Sequence, residues 1–259
     1  MPRPLLAFDT STDTLSIAVG RAEAGGLREW RHTGAGGAQA SVTLIPSILA
    51  LMAQAGAGFG DLEVIAFGCG PGAFTGLRTA CSVAQGLAFG ARMPPGRGGM
   101  QLLPVDTLLA VAEEARIQWA PDGRPLQVLA MLDARMDEIY AGAYAFDGQR
   151  WTRSQDFRLA RPEDLRLPAQ WQAPDVLLAG NVFAAYGERL PFGDAVQRCT
   201  TLPTASALLR LAPELLAQGL AVAPDLALPT YIRDKVAQTT SERAAAKAAP
   251  ALPLPPAVA

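Results

Sequence analysis

The sequence predicts an α/β fold made of two similar α/β lobes with mixed sheets, facing each other across a cleft. Two observations predict it. The first is the order strand, glycine turn, helix over residues 64–91. There the apolar run Val64, Ile65, Ala66, Phe67 breaks at Gly68, Gly70, Pro71 and Gly72, then passes into a helix-like segment. The second is an internal echo. Leu6-Ala7-Phe8-Asp9 returns as Ala130-Met131-Leu132-Asp133, each Asp is followed four residues later by another (Asp13, Asp137), and VIAFG at 64–68 returns as VLLAG at 176–180. A repeated pattern of elements is what two related lobes would leave in a sequence.

Taken in order, residues 5–8 form a buried-type strand ending at Asp9. After the DTSTDT turn, Leu15, Ile17 and Val19 alternate with Ser16, Ala18 and Gly20, the period of a second strand. Residues 27–32 are a third strand that closes a meander, and 34–38 a glycine-rich loop. Residues 41–55 carry Leu44, Ile45, Ile48, Leu49, Leu51 and Met52 at helical spacing, with Pro46 tolerable only near the first turn or at a kink. A loop, RMPPGRGGMQ, follows the glycine-turn helix. Residues 106–118 predict a helix with Asp106 as its cap. Strands are expected at 126–132, 138–146 and 151–157, the last two joined by Asp147-Gly148. A short strand at 176–179, a helix over 181–190 and a helix over 204–218, broken or kinked near Pro213, complete the pattern. The expected boundaries are residues 1–105 for the first lobe and 106–236 for a smaller second lobe. The tail, 237–259, is rich in Ala, Pro, Ser and Thr and is expected to be disordered.

Composition narrows the function. In 259 residues, half of them hydrophobic, 22 Lys and Arg face 24 Asp and Glu, so the net charge of −2 gives no broad footprint for nucleic acid. Three scattered cysteines suit a reducing cytoplasm rather than a disulfide framework. No secretory h-region and no apolar run long enough for a bilayer is read, so the expectation is a soluble cytoplasmic protein without a membrane role. A metal centre needs clustered ligands, and the chain has one histidine, His32, and no C-x-x-C pair. His32 reads as an ordinary surface or packing residue. Cys69 and Cys81 read as inert core thiols, and no G-x-S-x-G elbow is present. No catalytic residue and no metal ligand is assigned.

The turns carry what chemistry there is. Gly68-x-Gly70-x-x-Ala73 formally fits a dinucleotide fingerprint, but the acidic residue expected about twenty positions on is missing. Its bland reading is a tight strand-to-helix turn. The acidic turns at Asp9 and Asp133 match the way actin-like and sugar-kinase-like folds hold nucleotide phosphates and Mg²⁺, although Asp after a strand is commonly structural. Asp9, Thr10, Ser11, Gly70, Gly72 and Asp133 are therefore candidate phosphate contacts. ATP or ADP is expected at low affinity, or only within a complex.

LLAFDTSTDTLSIAV, GPGAFTGLRTACSVAQGLAFG, LDARMDEIYAGAY and PTYIRDKVA together resemble the TsaB (YeaZ) family, over roughly residues 5–236. The resemblance implies an actin-like, two-lobed ASKHA (ribonuclease H-like) fold. It also implies a non-catalytic scaffold or activator that dimerises with TsaD, which transfers threonylcarbamoyl to N6 of adenosine 37 in tRNAs reading ANN codons (t6A). TsaE joins the larger complex, and tRNA is met through it. In TsaD an H-x-x-x-H motif binds the catalytic metal; the matching positions here are Thr107 and Val111, so TsaD's own chemistry is not expected. Two departures from the family pattern stand out: the His that often precedes the first long helix is replaced near Ala40, and the 92–101 loop is longer. The alternative is a stand-alone ATP-dependent phosphotransferase or hydrolase, or a glycopeptidase-like enzyme.

The partner surface is expected on the two helices of the first lobe. The glycine-turn helix is apolar over most of its circumference, and a sheet can cover only one side. Leu77, Ala80, Cys81, Ala84, Leu87 and Ala88 are assigned to the interface, with Leu44, Ile48, Leu51 and Met52 from the preceding helix. Ala80, Ala84 and Ala88, four apart, would admit a partner helix closely. Without TsaD the same surface would make a homodimer. The bland reading is that both helices are core.

Overall fold

The computed structural model describes residues 2–172 and 176–233. The first sheet contains β1 (Leu5–Asp9), β2 (Thr14–Glu23), β3 (Gly26–Ala35), β4 (Ile65–Gly70) and β5 (Leu102–Asp106) in the order β3-β2-β1-β4-β5. β1 to β3 form an antiparallel meander, while β4 runs parallel to β1 and β5 parallel to β4. Two helices belong with it, α1 (Ala40–Gln54) and α2 (Phe74–Gly90). The second sheet contains β6 (Leu126–Arg135), β7 (Glu138–Phe146), β8 (Trp151–Ala160), β9 (Val176–Gly180) and β10 (Gln197–Thr200), in the order β10-β9-β6-β7-β8. That is the same meander followed by the same two parallel strands. The echo between LAFD and AMLD is thus a duplicated topology, with β6 in the place of β1 and β9 in the place of β4.

The strand period of two sorts side chains between layers. Leu6 and Phe8 of β1 face α1 and α2, in one cluster with Leu15, Ile17, Leu44, Ile48 and Ala84. Ala7 faces the other way, with Ala18 and Ala66, onto α5 (Ala205–Ala217). α3 (Thr107–Trp119) lies between the sheets: Ala110 joins the first lobe's core, Val111 and Ala112 the second's. Its cap is Asp106, whose carboxylate accepts from the Leu108 and Leu109 N–H groups.

Several expectations change. β5 and β10 match no element expected from the sequence; both are short edge strands, the place in a sheet where Pro104 is tolerated. The helix expected over 181–190 shrinks to α4 (Phe183–Tyr186). α1 and α5 run on through Pro46 and Pro213. Pro46 leaves the Val42 carbonyl without its helical donor, and Val42 is exposed, so water can serve it. The lobe boundary also moves. α5 packs on β1 and β2, and Val222 pairs with Leu102, so the first lobe regains the chain after residue 204. The tail expected to be disordered lies outside the described residues.

Candidate functional site

The turn after β1 is closed on itself. Asp9 is fully buried; its Oδ1 accepts from the Ser11 N–H (2.9 Å) and hydroxyl (2.7 Å). Its Oδ2 has no partner and presses on Gly68, where a Cβ would lie 1.8 Å away. Thr10 is buried too, and its hydroxyl donates to the Gly76 carbonyl of α2 (2.7 Å). The glycine turn folds onto this loop. Gly72 leaves room for Ser11, Ala73 donates its N–H to the Ser11 carbonyl (2.7 Å), and Gly70 donates to Thr107 Oγ1 (3.0 Å). Asp9, Thr10 and Gly70 are therefore corrected: they sit where one turn packs against the other and do not line the cavity between the lobes. Thr107 serves that packing, and Val111 sits in the second lobe's core.

Burial pushes the Asp9 carboxyl from an ordinary 3.8 up to about 6, against the lowering effect of the Ser11 hydrogen bonds. A raised carboxyl stabilises the fold fully below its unfolded value and loses that contribution as pH rises through about 6, a loss of about 3 kcal/mol. Asp9→Asn keeps the acceptor and removes the charge. Relative to wild type it is expected to gain stability between pH 4 and pH 8, measured by urea unfolding. A difference that does not vary with pH would contradict this burial cost.

Across from it, the β6–β7 turn holds Asp133. Its Oδ1 accepts from the Arg135 N–H (2.8 Å) and from Tyr186 (3.1 Å), and Asn181 accepts from the Asp133 N–H (2.9 Å). Arg135, Met136 and Asp137 all adopt positive φ (60°, 56° and 65°), a strained run for non-glycine residues, on the order of 1 kcal/mol each. Arg189 clamps Asp137 from outside the turn. Arg135 then spans the cleft, pairing with Asp133 in its own lobe and Asp13 in the other. Ser11, Gly72 and Asp133 line the cavity between the lobes, about 310 Å³. The structure brings these three together and leaves the other three candidates behind them.

A strap that follows α5 closes the same cleft. Gln85 of α2 donates to the Pro224 and Ala227 carbonyls, and the Thr230 N–H donates to the Cys69 carbonyl (2.7 Å). Tyr231 stacks near Phe74 (5.0 Å) and accepts from Arg78, whose guanidinium lies 3.8 Å over the Phe74 ring. Arg233 reaches the second lobe, donating to the Ala134 carbonyl (3.2 Å) and pairing with Glu138.

The helix pair requires a second correction. Leu44, Ile48, Leu51 and Met52 of α1 are buried in the first lobe's core, as are Ala80, Cys81, Ala84 and Ala88 of α2; Leu77 is buried beside Gly70, and Leu87 is half-buried against the core. The small residues of α2 admit its own sheet, not a partner. What these helices present outward is Val42 (73% exposed), Ile45 (43%) and Leu49 (51%) on α1, and Phe89 (69%) on α2. Val42, Ile45 and Leu49 follow the spacing i, i+3, i+7, so α1 is apolar on both sides.

A family model described as "TsaD: tRNA N6-adenosine threonylcarbamoyltransferase" matches residues 36–241. The Escherichia coli protein named "tRNA threonylcarbamoyladenosine biosynthesis protein TsaB" is 30% identical, over 90% of this chain and 96% of its own. Its Haemophilus influenzae namesake is 31% identical, over 90% and 94%. The solved structure "YeaZ from Pseudomonas aeruginosa" superposes with a TM-score of 0.75 at 34% identity, covering 88% of this chain and 99% of that one. The chain belongs to the TsaB family. Its duplicated sheets are the two-lobed ASKHA-like α/β fold of that family, and the residues matched by the TsaD-type model run through both lobes. Within this TsaB fold, the residues that reasoning from sequence missed are Arg135 and the strap. Arg135 stood inside DARMDE and Tyr231 and Arg233 inside PTYIRDK, both read as family motifs without a role. The outward residues Val42 and Phe89 carried no signal apart from hydrophobicity.

Proposed function

We propose that this chain is the non-catalytic subunit that dimerises with a TsaD-type transferase in the making of threonylcarbamoyladenosine at position 37 of tRNA. The observation that carries the reading is the outward apolar stripe of Val42, Ile45 and Leu49 with Phe89 on the adjoining helix. Isolated exposed apolar residues are ordinary; a stripe at helical spacing on a helix already buried on its other side is a docking face. The cleft supports the same reading. Asp9 is sealed in its own turn, and Asp13 and Asp133 are both paired with Arg135, so each carboxylate that would hold Mg²⁺-ATP is buried or already faces a cation. This weighs against the stand-alone phosphotransferase or hydrolase. ATP and ADP bind at low affinity at Ser11 and Gly72 of the isolated subunit, or only within the complex. TsaE and tRNA are met through the assembled complex in the cytoplasm, and a homodimer on the α1–α2 face forms when TsaD is absent.

The test is reconstitution of tRNA modification from purified subunits. Omission of this chain is expected to abolish modification, and the chain alone is expected to show no turnover of ATP. Full modification without it, or robust hydrolysis by it alone, would overturn the proposal.

A further inference from the structure

We propose that a second interlobe cavity, which meets the cleft at Thr230, binds a small molecule with an aromatic or aliphatic body and one cationic amine. The inference does not depend on the family reading. The cavity, about 400 Å³, is walled by both lobes: Pro104, Leu211 and Leu215 from the first, Tyr144, Trp151 and Phe157 from the second. Its size and its mainly apolar wall with a few fixed polar groups are those of a ligand pocket, roughly 300–1,000 Å³.

The polar groups decide the charge of the ligand. Asp106 is saturated, accepting from the Leu108 and Leu109 N–H groups, the Tyr144 hydroxyl and Arg153 (2.9 Å). Arg153 is neutralised by that carboxylate, has Asp156 at 3.7 Å, and stacks on Phe157 at 4.1 Å. The Trp151 N–H is spent on Glu113 (3.0 Å), so its ring is held as a fixed wall. Glu214 remains. Its carboxylate accepts from the Gln218 amide (3.1 Å) and makes no ion pair among the described residues. An anionic ligand would find no uncompensated cation and would meet Glu214. An amine finds that carboxylate at the rim of an apolar chamber, where partial desolvation strengthens the pairing.

The experiment is calorimetric titration of the full chain with two probes of matched shape, tryptamine and indole-3-propionate. Tryptamine is expected to saturate with a Kd below about 1 mM, and indole-3-propionate to bind at least tenfold more weakly. Glu214→Gln, on a solvent-facing rim, is expected to erase that preference, and Leu215→Trp to fill the chamber and abolish binding. No saturation by either probe, equal affinity for both, or a preference unchanged in Glu214→Gln would overturn the proposal.

Discussion

Ala84→Arg is expected to leave the protein without a cooperative melt at 25 °C, whereas Leu49→Arg is expected to fold as wild type does. Ala84 is fully buried where α2 crosses its own sheet, among Phe8, Leu15, Phe67 and Ile48. A guanidinium there would have no partner, and burying it unpaired costs many kcal/mol against a domain stability of about 5–15 kcal/mol. Leu49 is 51% exposed, and removing an exposed apolar side chain costs the monomer about 0.5 kcal/mol or less. Circular dichroism melts of the two variants decide it. A cooperative Ala84→Arg melt near that of wild type would return α2's small-residue stripe to the list of surfaces.

The second large effect is expected at Glu113, whose side chain is 3% exposed. Its carboxylate accepts from Arg116 twice (2.8 Å each), from Trp151 (3.0 Å) and from Arg210 (2.9 Å), tying together α3, β8 and α5. Burial raises the Glu113 carboxyl, but the Arg116 and Trp151 hydrogen bonds and the charges of Arg116 and Arg210 outweigh it and hold the group below its ordinary value. Glu113→Ala strands the Arg116 guanidinium beside a vacated site, leaves Arg210 with Glu114 alone (2.7 Å), and is expected to cost about 3 kcal/mol at pH 7. A depressed carboxyl contributes fully above its unfolded value and loses that contribution as pH falls through the folded one. The gap between wild type and Glu113→Ala should therefore shrink below about pH 4.5. This is the opposite sense to Asp9, whose contribution is lost as pH rises. Denaturant unfolding at pH 7 and pH 3 measures it; a gap under 1 kcal/mol at pH 7 would show that the cluster is replaceable.

The duplication was legible because strand-ending Asp9 and Asp133 sit at equivalent turns, and a two-residue period is a local signal. The α3 cap was legible for the same reason: Asp106 needs only its next few residues. β5 and β10 were not, because Pro104 and the polar QRCT run weaken the strand pattern at sheet edges. The inward face of α2 was misread because a helix apolar around most of its circumference has no period to say which stripe meets the sheet. Here Ala80, Ala84 and Ala88 let it lie close to the glycine-bearing β4. The site depended on contacts distant in sequence. Arg135 meets Asp13 across 122 positions, and Arg78 meets Tyr231 across 153. Nothing local marks such partners. Asp9 has the residue type of a phosphate-site carboxylate, and only the structure shows it turned inward against Gly68.

On the proposed function, the outward stripe of α1 and the exposed end of α2 hold the TsaD-type partner. Titration of that partner with wild type, Leu49→Arg and Phe89→Arg tests it most directly, with each variant first shown to be folded. A charge placed in an apolar interface should weaken binding by at least tenfold in both variants. Wild-type affinity in two folded variants would contradict the claim.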